Sequence, residues 1–352
     1  MDVGCAAEHV RDAGETRRAL PVIPAVGPRL LNSAPGTAIF LLAALLLSCT
    51  MVPSERKVLL LNIDPLVNGT PLTQVMGWND PQALAAEYIS DVRTASGGEL
   101  EYRIVAVETD LDFPVKEDGF AYTGEEYLRV ARKQVKDHQP DGVDYAALLD
   151  KHRIADRANA GEFDELWVFG APWFGFYESR LAGKGGYWYN SPPLEYPKLD
   201  RLLPIMGFSY ERGVAEMLED LGHRTEATMT QVYGGWNASS LGTPWDRFTM
   251  IDRDWIGEAQ VGSVHFPPNG RRDYDWSNSE KVWSNADGWL TYPDVRERWR
   301  MVSCREWGCS ARGYLNWWFS HLPRQSGKTD GVLNNWWAYV RDPMLAASRK
   351  SA

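Results

Sequence analysis

Four short runs of consecutive apolar residues constrain the fold of this chain more than any other feature. They lie at 57–64, 102–107, 165–170 and 203–208. A run that is apolar throughout, rather than at alternate positions, indicates a strand that is buried on both faces of a sheet. Amphipathic helical patterns lie between and after these runs, at 81–94, 124–136 and 211–233. This alternation predicts an α/β fold with a mostly parallel sheet flanked by helices.

The second half of the chain has a different character. From Gly234 onwards Gly, Pro, Asn and Trp are frequent, and long amphipathic patterns are rare. We expect an irregular, tryptophan-rich α+β half at 234–345 that follows an α/β core at 57–233. No linker of biased composition separates the two parts. We therefore expect a single globular unit over 57–345.

The N-terminal segment predicts export. An apolar run at 38–47 ends in Leu46-Leu47-Ser48-Cys49, and a helix this short does not cross a hydrocarbon core of about 30 Å. The sequence resembles the bacterial lipobox, in which the cysteine takes a diacylglycerol and becomes the mature N-terminus. We expect a lipoprotein signal peptide at 1–48, a membrane anchor on Cys49 and a tether at 49–56. The expected location is the bacterial cell envelope, facing the periplasm or the exterior.

Charge and missing motifs exclude several functions. The formal net charge of −10 opposes attraction to a phosphate backbone, so we expect no nucleic-acid partner. The chain has no Gly-x-Ser-x-Gly elbow, no P-loop and no Gly-x-Gly-x-x-Gly after the first predicted strand. Nucleotide-dependent and cofactor-dependent enzymes are therefore disfavoured.

Two cysteines remain outside the leader and the predicted lipid site, Cys304 and Cys309. An even pair in an exported protein predicts a disulfide. The alternative is two reduced cysteines that only pack. With four residues between them, a bond here would shape a local turn more than it would stabilise the whole fold.

One helical segment carries a row of possible metal ligands. Glu219, His223 and Glu226 are spaced by four and three residues, which places them on one helix face. Carboxylate and imidazole groups are ligands that zinc or another divalent metal accepts. The alternative is the solvent face of an amphipathic helix, since apolar residues occupy the other side and no His-Glu-x-x-His motif accompanies the row.

Three further residues are candidates for acid–base catalysis. Glu178 lies among aromatic residues in the loop after the third predicted strand, and Glu211 follows the fourth. Ligands bind beyond the carboxyl ends of such strands, and apolar surroundings raise the pKa of a carboxyl group. His265 begins a polar loop at 265–276 that could line a cleft. Surface charge and a structural histidine are the alternatives for these residues.

Sixteen tryptophans are an unusually large number for a chain of this length. Flat indole and phenol rings stack on sugar rings, and they also pack in cores. Two late segments, 313–321 and 333–340, each carry a Trp-Trp pair and could form short helices. The candidates for substrate binding are Trp173, Tyr177, Trp276, Trp317 and Trp336.

Four sequence motifs resemble those of a family of secreted bacterial proteins that has no settled activity. The motifs lie at 168–172, 207–214, 222–226 and 265–270. The similarity extends over about residues 57–343. It implies an exported protein and a single unit, and it implies no mechanism and no catalytic residue.

The expected function is action on, or binding of, an extracellular glycan by a lipid-anchored protein. In the enzyme form, Glu178 and Glu211 act as general acid and base, as two carboxylates can in glycoside hydrolysis. A metal-dependent peptidase or amidase is the alternative if the helix row holds zinc. A carbohydrate-binding surface protein without catalysis is the third possibility.

Overall fold

The computed structural model describes residues 55–349. The predicted signal peptide and Cys49 lie outside these residues. Within the described range, the strands are β1 (Glu55–Ile63), β2 (Leu66–Val67), β3 (Thr70–Pro71), β4 (Glu101–Asp110), β5 (Glu165–Gly170), β6 (Ser179–Ala182), β7 (Leu203–Ser209), β8 (Val282–Ser284), β9 (Arg300–Val302), β10 (Arg324–Thr329) and β11 (Val332–Asn335). The α-helices there are α1 (Leu72–Met76), α2 (Pro81–Ser96), α3 (Gly124–Ala131), α4 (Tyr145–Lys151), α5 (Ile154–Asn159), α6 (Val214–Tyr233), α7 (Pro244–Phe248), α8 (Ala311–Ser320), α9 (Trp337–Arg341) and α10 (Pro343–Ala347).

The central sheet confirms the predicted fold class. Among the described residues it has the strand order β4-β1-β5-β7-β6, in which the first four strands are parallel and β6 pairs antiparallel with β7. All six residues of β5 are buried, as expected for a strand covered on both faces. The four apolar runs correspond to β1, β4, β5 and β7, and only Asp64, the last residue of the first run, lies beyond its strand. Glu55 and Arg56, which were assigned to the tether, belong to β1.

The second half consists of short elements and loops, as predicted. Two small antiparallel sheets, β8-β9 and β10-β11, lie here with α8, α9 and two 3₁₀ turns. The helix predicted at 333–340 is wrong in its first part, because Val332–Asn335 pairs with β10 and the helix begins only at Trp337. Cys304 and Cys309 form the predicted disulfide, with their Cα atoms 4.4 Å apart.

Helix α6 is fixed to the sheet by a buried ion pair. Both terminal nitrogens of Arg224 donate to the carboxylate of Glu165 in β5, at 2.8 Å each. Arg224 Nη2 also donates to the carbonyl of Val340, at 2.9 Å. Both charged side chains are fully buried, so the geometry must compensate for their loss of hydration. This arrangement fixes the rotation of α6, and His223, the preceding residue, lies about 100° around the helix from the buried Arg224.

Among the described residues, none lies in a helix long and apolar enough to span a bilayer.

Candidate metal centre

The predicted row on α6 lies in a partly enclosed position. Glu219, His223 and Glu226 retain between 10 and 17 per cent of their side-chain exposure. The apolar residues of α6 face the core, as the amphipathic pattern requires. The row is therefore not a freely solvated face, although it lies at the surface of the helix.

The loop that carries His265 is held by aromatic side chains of the second half. Trp318 Nε1 donates to the carbonyl of Gly262 at 3.0 Å, and Trp276 Nε1 donates to the carbonyl of Val264 at 3.1 Å. The Tyr314 hydroxyl donates to the carbonyl of Ser263 at 2.6 Å. Gly262 has a φ of +89°, and a Cβ there would lie 2.3 Å from a backbone oxygen. The backbone on the N-terminal side of His265 is therefore tightly fixed.

Helix α6 and the His265 loop approach each other closely at Gly222. A Cβ on this glycine would lie 2.6 Å from Cγ2 of Val264, which is too close for an ordinary contact. The backbone N–H of Val264 donates to Glu226 Oε1 at 2.8 Å. These two contacts bring His265 beside the row on α6.

Three side-chain atoms converge where the helix and the loop meet. His223 Nε2 and His265 Nε2 lie 3.0 Å apart. Oε1 of Glu219 lies 3.0 Å from His265 Nε2 and 3.8 Å from His223 Nε2. The two imidazole rings are nearly perpendicular, at 82°. The structure thus brings His265 together with two of the three predicted metal ligands.

The other nitrogen of each ring has its own carboxylate partner. His223 Nδ1 lies 3.1 Å from Glu226 Oε2, and His265 Nδ1 lies 3.0 Å from Asp273 Oδ1. When the Nδ1–H of a neutral imidazole donates to a carboxylate, the free lone pair is on Nε2, on the opposite side of the ring. Both lone pairs therefore point towards each other and towards Glu219. Carboxylates that orient histidines in this way are typical of metal centres. Glu226, predicted as a metal ligand, here contacts Nδ1 of His223 and orients that ring.

The cluster fits a tetrahedral cation. Zinc bound at about 2.0–2.1 Å places its ligand atoms about 3.3–3.4 Å apart. The separations of 3.0, 3.0 and 3.8 Å bracket that value. Two histidines and one glutamate leave a fourth position open, which is the composition of catalytic rather than structural zinc sites.

The pKa shifts of Glu219, His223 and His265 show that these side chains interact strongly in the absence of a cation. Burial opposes ionisation of Glu219, yet hydrogen bonds to His223 and His265 lower its pKa to about 2. Burial likewise disfavours the charged form of His223, but hydrogen bonds to Glu219 and Glu226 raise its pKa to about 10. Burial and the charge of His223 lower the pKa of His265, but the hydrogen bond to Glu219 and the charges of Glu219 and Asp273 together raise it. The carboxylates therefore stabilise the protonated form of both rings.

Tyr274 completes the surroundings of His265. Its φ is +59°, an uncommon conformation for a bulky residue, and its ring centre lies 4.2 Å from that of His265. Burial, and then the charges of Glu219 and Asp273, raise the pKa of Tyr274 to about 12. The Tyr274 hydroxyl thus stays protonated and neutral at ordinary pH beside the cluster.

Two cavities adjoin the cluster and share its residues. One has a volume of about 480 Å³ and the other about 360 Å³, and both are lined by His223, Glu226 and Trp236. Trp188, 58 per cent exposed, lines the larger cavity, and Trp236 is 40 per cent exposed. Neither tryptophan was a sequence candidate. The Gly234-Gly235 pair at the end of α6, directly before Trp236, is the signal that could have pointed to it.

Glu178 and Glu211 lie elsewhere, in a cavity at the carboxyl ends of β5 and β7. This cavity has a volume of about 260 Å³ and is also lined by Trp173 and Asp220. The carboxylate of Glu178 accepts a hydrogen bond from Asn190, which lines the larger cavity beside the cluster of Glu219, His223 and His265. The charge of Glu178 also contributes to the raised pKa of His223. Glu178 therefore lies between the two sites.

The remaining aromatic candidates have different environments. Tyr177 is 42 per cent exposed, with Arg180 over its ring at 5.5 Å. Trp276 supports the His265 loop, and Trp317 packs against Trp307 at 5.2 Å. Trp336 is fully buried in the core. An enclosed indole makes no contact with substrate, so the expectation for Trp336 is corrected.

Comparisons with known proteins found a weak structural similarity and no family. No family model matches the chain, and no curated protein matches it. Among solved structures, a chain described as "Structure of a chaperone-substrate complex" is similar over 49% of this chain, at 15% identity and a TM-score of 0.24. The similarity covers 23% of that chain. A likeness this weak carries no argument about function.

Proposed function

We propose that this protein is a metal-dependent hydrolase in which Glu219, His223 and His265 bind a divalent cation, with zinc as the best fit. One observation carries the proposal. Two Nε2 atoms and a carboxylate oxygen converge while both Nδ1 atoms are engaged by Glu226 and Asp273. Two lone pairs at 3.0 Å repel each other unless a proton or a cation lies between them.

The surrounding groups suit hydrolysis of an amide or an ester. A bound cation would supply a Lewis acid and lower the pKa of a water molecule. Tyr274 offers a neutral hydroxyl donor next to Glu219, suited to a developing oxyanion. Glu178, whose charge reaches His223, is the candidate general base. These roles correspond to a metal-dependent peptidase or amidase class of reaction.

Metal analysis of the full chain, produced with its leader, tests the proposal. We expect close to one equivalent of zinc in the purified protein, and a loss of at least tenfold in zinc affinity in His223→Ala, His265→Ala and Glu219→Gln. His138→Ala is the matched control, because His138 lies outside the cluster and stacks on Phe120. Substoichiometric metal in the wild type, after supply of zinc, nickel, manganese or iron, would contradict the proposal.

We also propose that the protein acts outside the cytoplasm, anchored to a membrane by lipid on Cys49. The support is the apolar run at 38–47 and the lipobox-like sequence that ends at Cys49. Labelling with radioactive palmitate is expected in the wild type and absent in Cys49→Ser. Equal labelling of both proteins would contradict the anchor.

A carboxylate-dependent glycoside hydrolase is the second candidate. Glu178 and Glu211 line the same cavity, which is the observation that favours it. This mechanism needs no metal. Activity that resists a chelator and disappears in Glu178→Gln and Glu211→Gln would select it over the metal-dependent reaction.

A further inference from the structure

We infer that the substrate is a neutral polysaccharide whose sugar units carry acyl groups, and that the reaction removes these groups. The chain would lie along the two cavities that adjoin the metal cluster. This inference rests on the proposed metal-dependent hydrolase and names the substrate of that site.

The first support is a pair of exposed indoles in the larger cavity. Trp188 and Trp236 are 58 and 40 per cent exposed, which is far more than tryptophan usually shows in a folded protein. Trp236 is fixed in place, because its Nε1 donates to Thr249 Oγ1 at 2.9 Å and its ring packs against Trp245 at 5.6 Å. A fixed, flat, half-exposed indole stacks on the apolar face of a sugar ring.

The second support is the charge of the cavity lining. Apart from His223 and Glu226, the polar side chains that line the larger cavity are uncharged, and they include Asn190, Thr230 and Gln231. Glu226 is engaged by His223 and by the backbone of Val264. Amides and hydroxyls suit sugar hydroxyls, whereas the lining has no arginine or lysine for an anionic ligand. The net charge of −10 also disfavours an anionic polymer.

The third support is the position of the cavities. Because both are lined by His223, Glu226 and Trp236, they meet beside the cluster. A chain that occupies both would bring an internal sugar unit to the metal. In the second cavity, Arg253 is paired with Asp254 at 2.9 Å and lies over Phe266 at 4.7 Å. Its charge is therefore already neutralised, and the Phe266 ring is an apolar wall for the chain.

The reaction consumes one water for each acyl group. The oxygen of water forms a bond to the acyl carbon, and the C–N bond of an N-acyl group or the C–O bond of an O-acyl ester breaks. One proton of the water moves to the departing sugar nitrogen or oxygen, and the acyl group leaves as a carboxylate. The second proton is taken up by the departing amine, which leaves as an ammonium group, or is released to solvent when an ester is cleaved. No oxidant or further co-reactant is needed, and the glycosidic bonds stay intact.

The experiment uses oligomers of N-acetylglucosamine and acetylated xylan, and it measures released acetate, polymer length and bound metal in the same samples. We expect acetate release with unchanged polymer length, and loss of release with a chelator. Trp188→Ala should raise KM about tenfold while kcat changes little. Trp283→Ala, an exposed tryptophan of β8, is the matched control. Trp236→Phe serves as a second variant that keeps the packing against Trp245.

The outcomes separate the two proposals. Protein with a full equivalent of metal that releases no acetate, shortens the polymer, or cleaves peptides instead overturns the inference and leaves the metal site standing. Protein without metal after supply of the cations overturns the proposed function. Equal KM values for Trp188→Ala, Trp236→Phe and the wild type overturn the placement of the sugar chain.

Discussion

The Nε2 atoms of His223 and His265 lie 3.0 Å apart, although 42 positions separate the residues in the chain. One histidine belongs to a helix on the parallel sheet, and the other to a loop of the tryptophan-rich half. Each ring is oriented by its own carboxylate, so the close approach is built from four side chains rather than two.

Removal of metal should lower the thermal stability of the wild-type protein. A cation that binds only the folded state stabilises it according to its concentration and affinity. We expect a chelator to lower the Tm of the wild type by several degrees and to leave the Tm of Glu219→Gln unchanged. Differential scanning calorimetry measures both. An equal decrease in the two proteins would show that the chelator acts elsewhere.

Asp273→Asn should weaken metal binding without unfolding the protein. Asp273 is more than half exposed and orients His265 through Nδ1. Loss of such an orienting carboxylate typically costs 10–100-fold in metal affinity. Competition with a coloured chelator measures that affinity. Asp294→Asn, at another exposed aspartate, is the matched control. Unchanged affinity in Asp273→Asn would remove this residue from the metal centre.

Gly222→Ala should displace the His265 loop. Its new Cβ would lie 2.6 Å from Cγ2 of Val264, so helix and loop must move apart. We expect at least tenfold weaker zinc binding, measured by isothermal titration. Val264→Ala in the same protein removes the clash and should restore part of the affinity. No recovery in the double variant would mean that the glycine matters for another reason.

Arg224→Met should be among the most destabilising single changes in the core. It removes both short hydrogen bonds to the fully buried carboxylate of Glu165 and leaves only the more distant Arg56, whose Nε lies 3.8 Å away. Breaking a buried pair in this way typically costs about 3–5 kcal/mol. Replacing Glu165 by Leu in the same protein should recover much of that loss. Arg93→Met, which breaks an exposed pair with Glu101, should change the free energy of unfolding by about 1 kcal/mol or less. Urea unfolding measures all four proteins.

Asp110 should contribute stability that is lost in acid. Burial raises its pKa, but hydrogen bonds from His152 and Lys151 outweigh this and lower the pKa to about 2. A carboxylate whose pKa is depressed by folding stabilises the protein above its unfolded pKa of about 3.9, and this contribution disappears as the pH falls towards 2. The stability difference between wild type and Asp110→Asn should therefore shrink between pH 4 and pH 2. A difference that does not change with pH would contradict this.

The sheet could be predicted because its strands are buried on both faces and so appear as continuous apolar runs. The row of candidate metal ligands on α6 could also be predicted, since spacing alone places Glu219 and His223 on one face. The proximity of His265 to these two residues could not be predicted. It depends on a loop whose path is set by hydrogen bonds from Tyr314 and Trp318, far along the chain.

The exposure of individual tryptophans could not be predicted from the sequence either. Composition reveals how many there are, but exposure depends on which loops cover them. Trp336 is enclosed, whereas Trp188 is open to solvent in the cavity that His223 lines. An indole that packs and an indole that binds ligand have the same local sequence requirements, so only tertiary structure separates them.

The hydrogen bonds that Trp318 and Tyr314 make to the His265 loop have a consequence for biogenesis. His265, the proposed third ligand, is held in place only when the C-terminal part of the polypeptide has been synthesised and has docked. A nascent or truncated product that ends after α6 would carry Glu219 and His223 but not His265, and two ligands bind zinc weakly. The proposed metal site therefore cannot assemble before the second half of the fold.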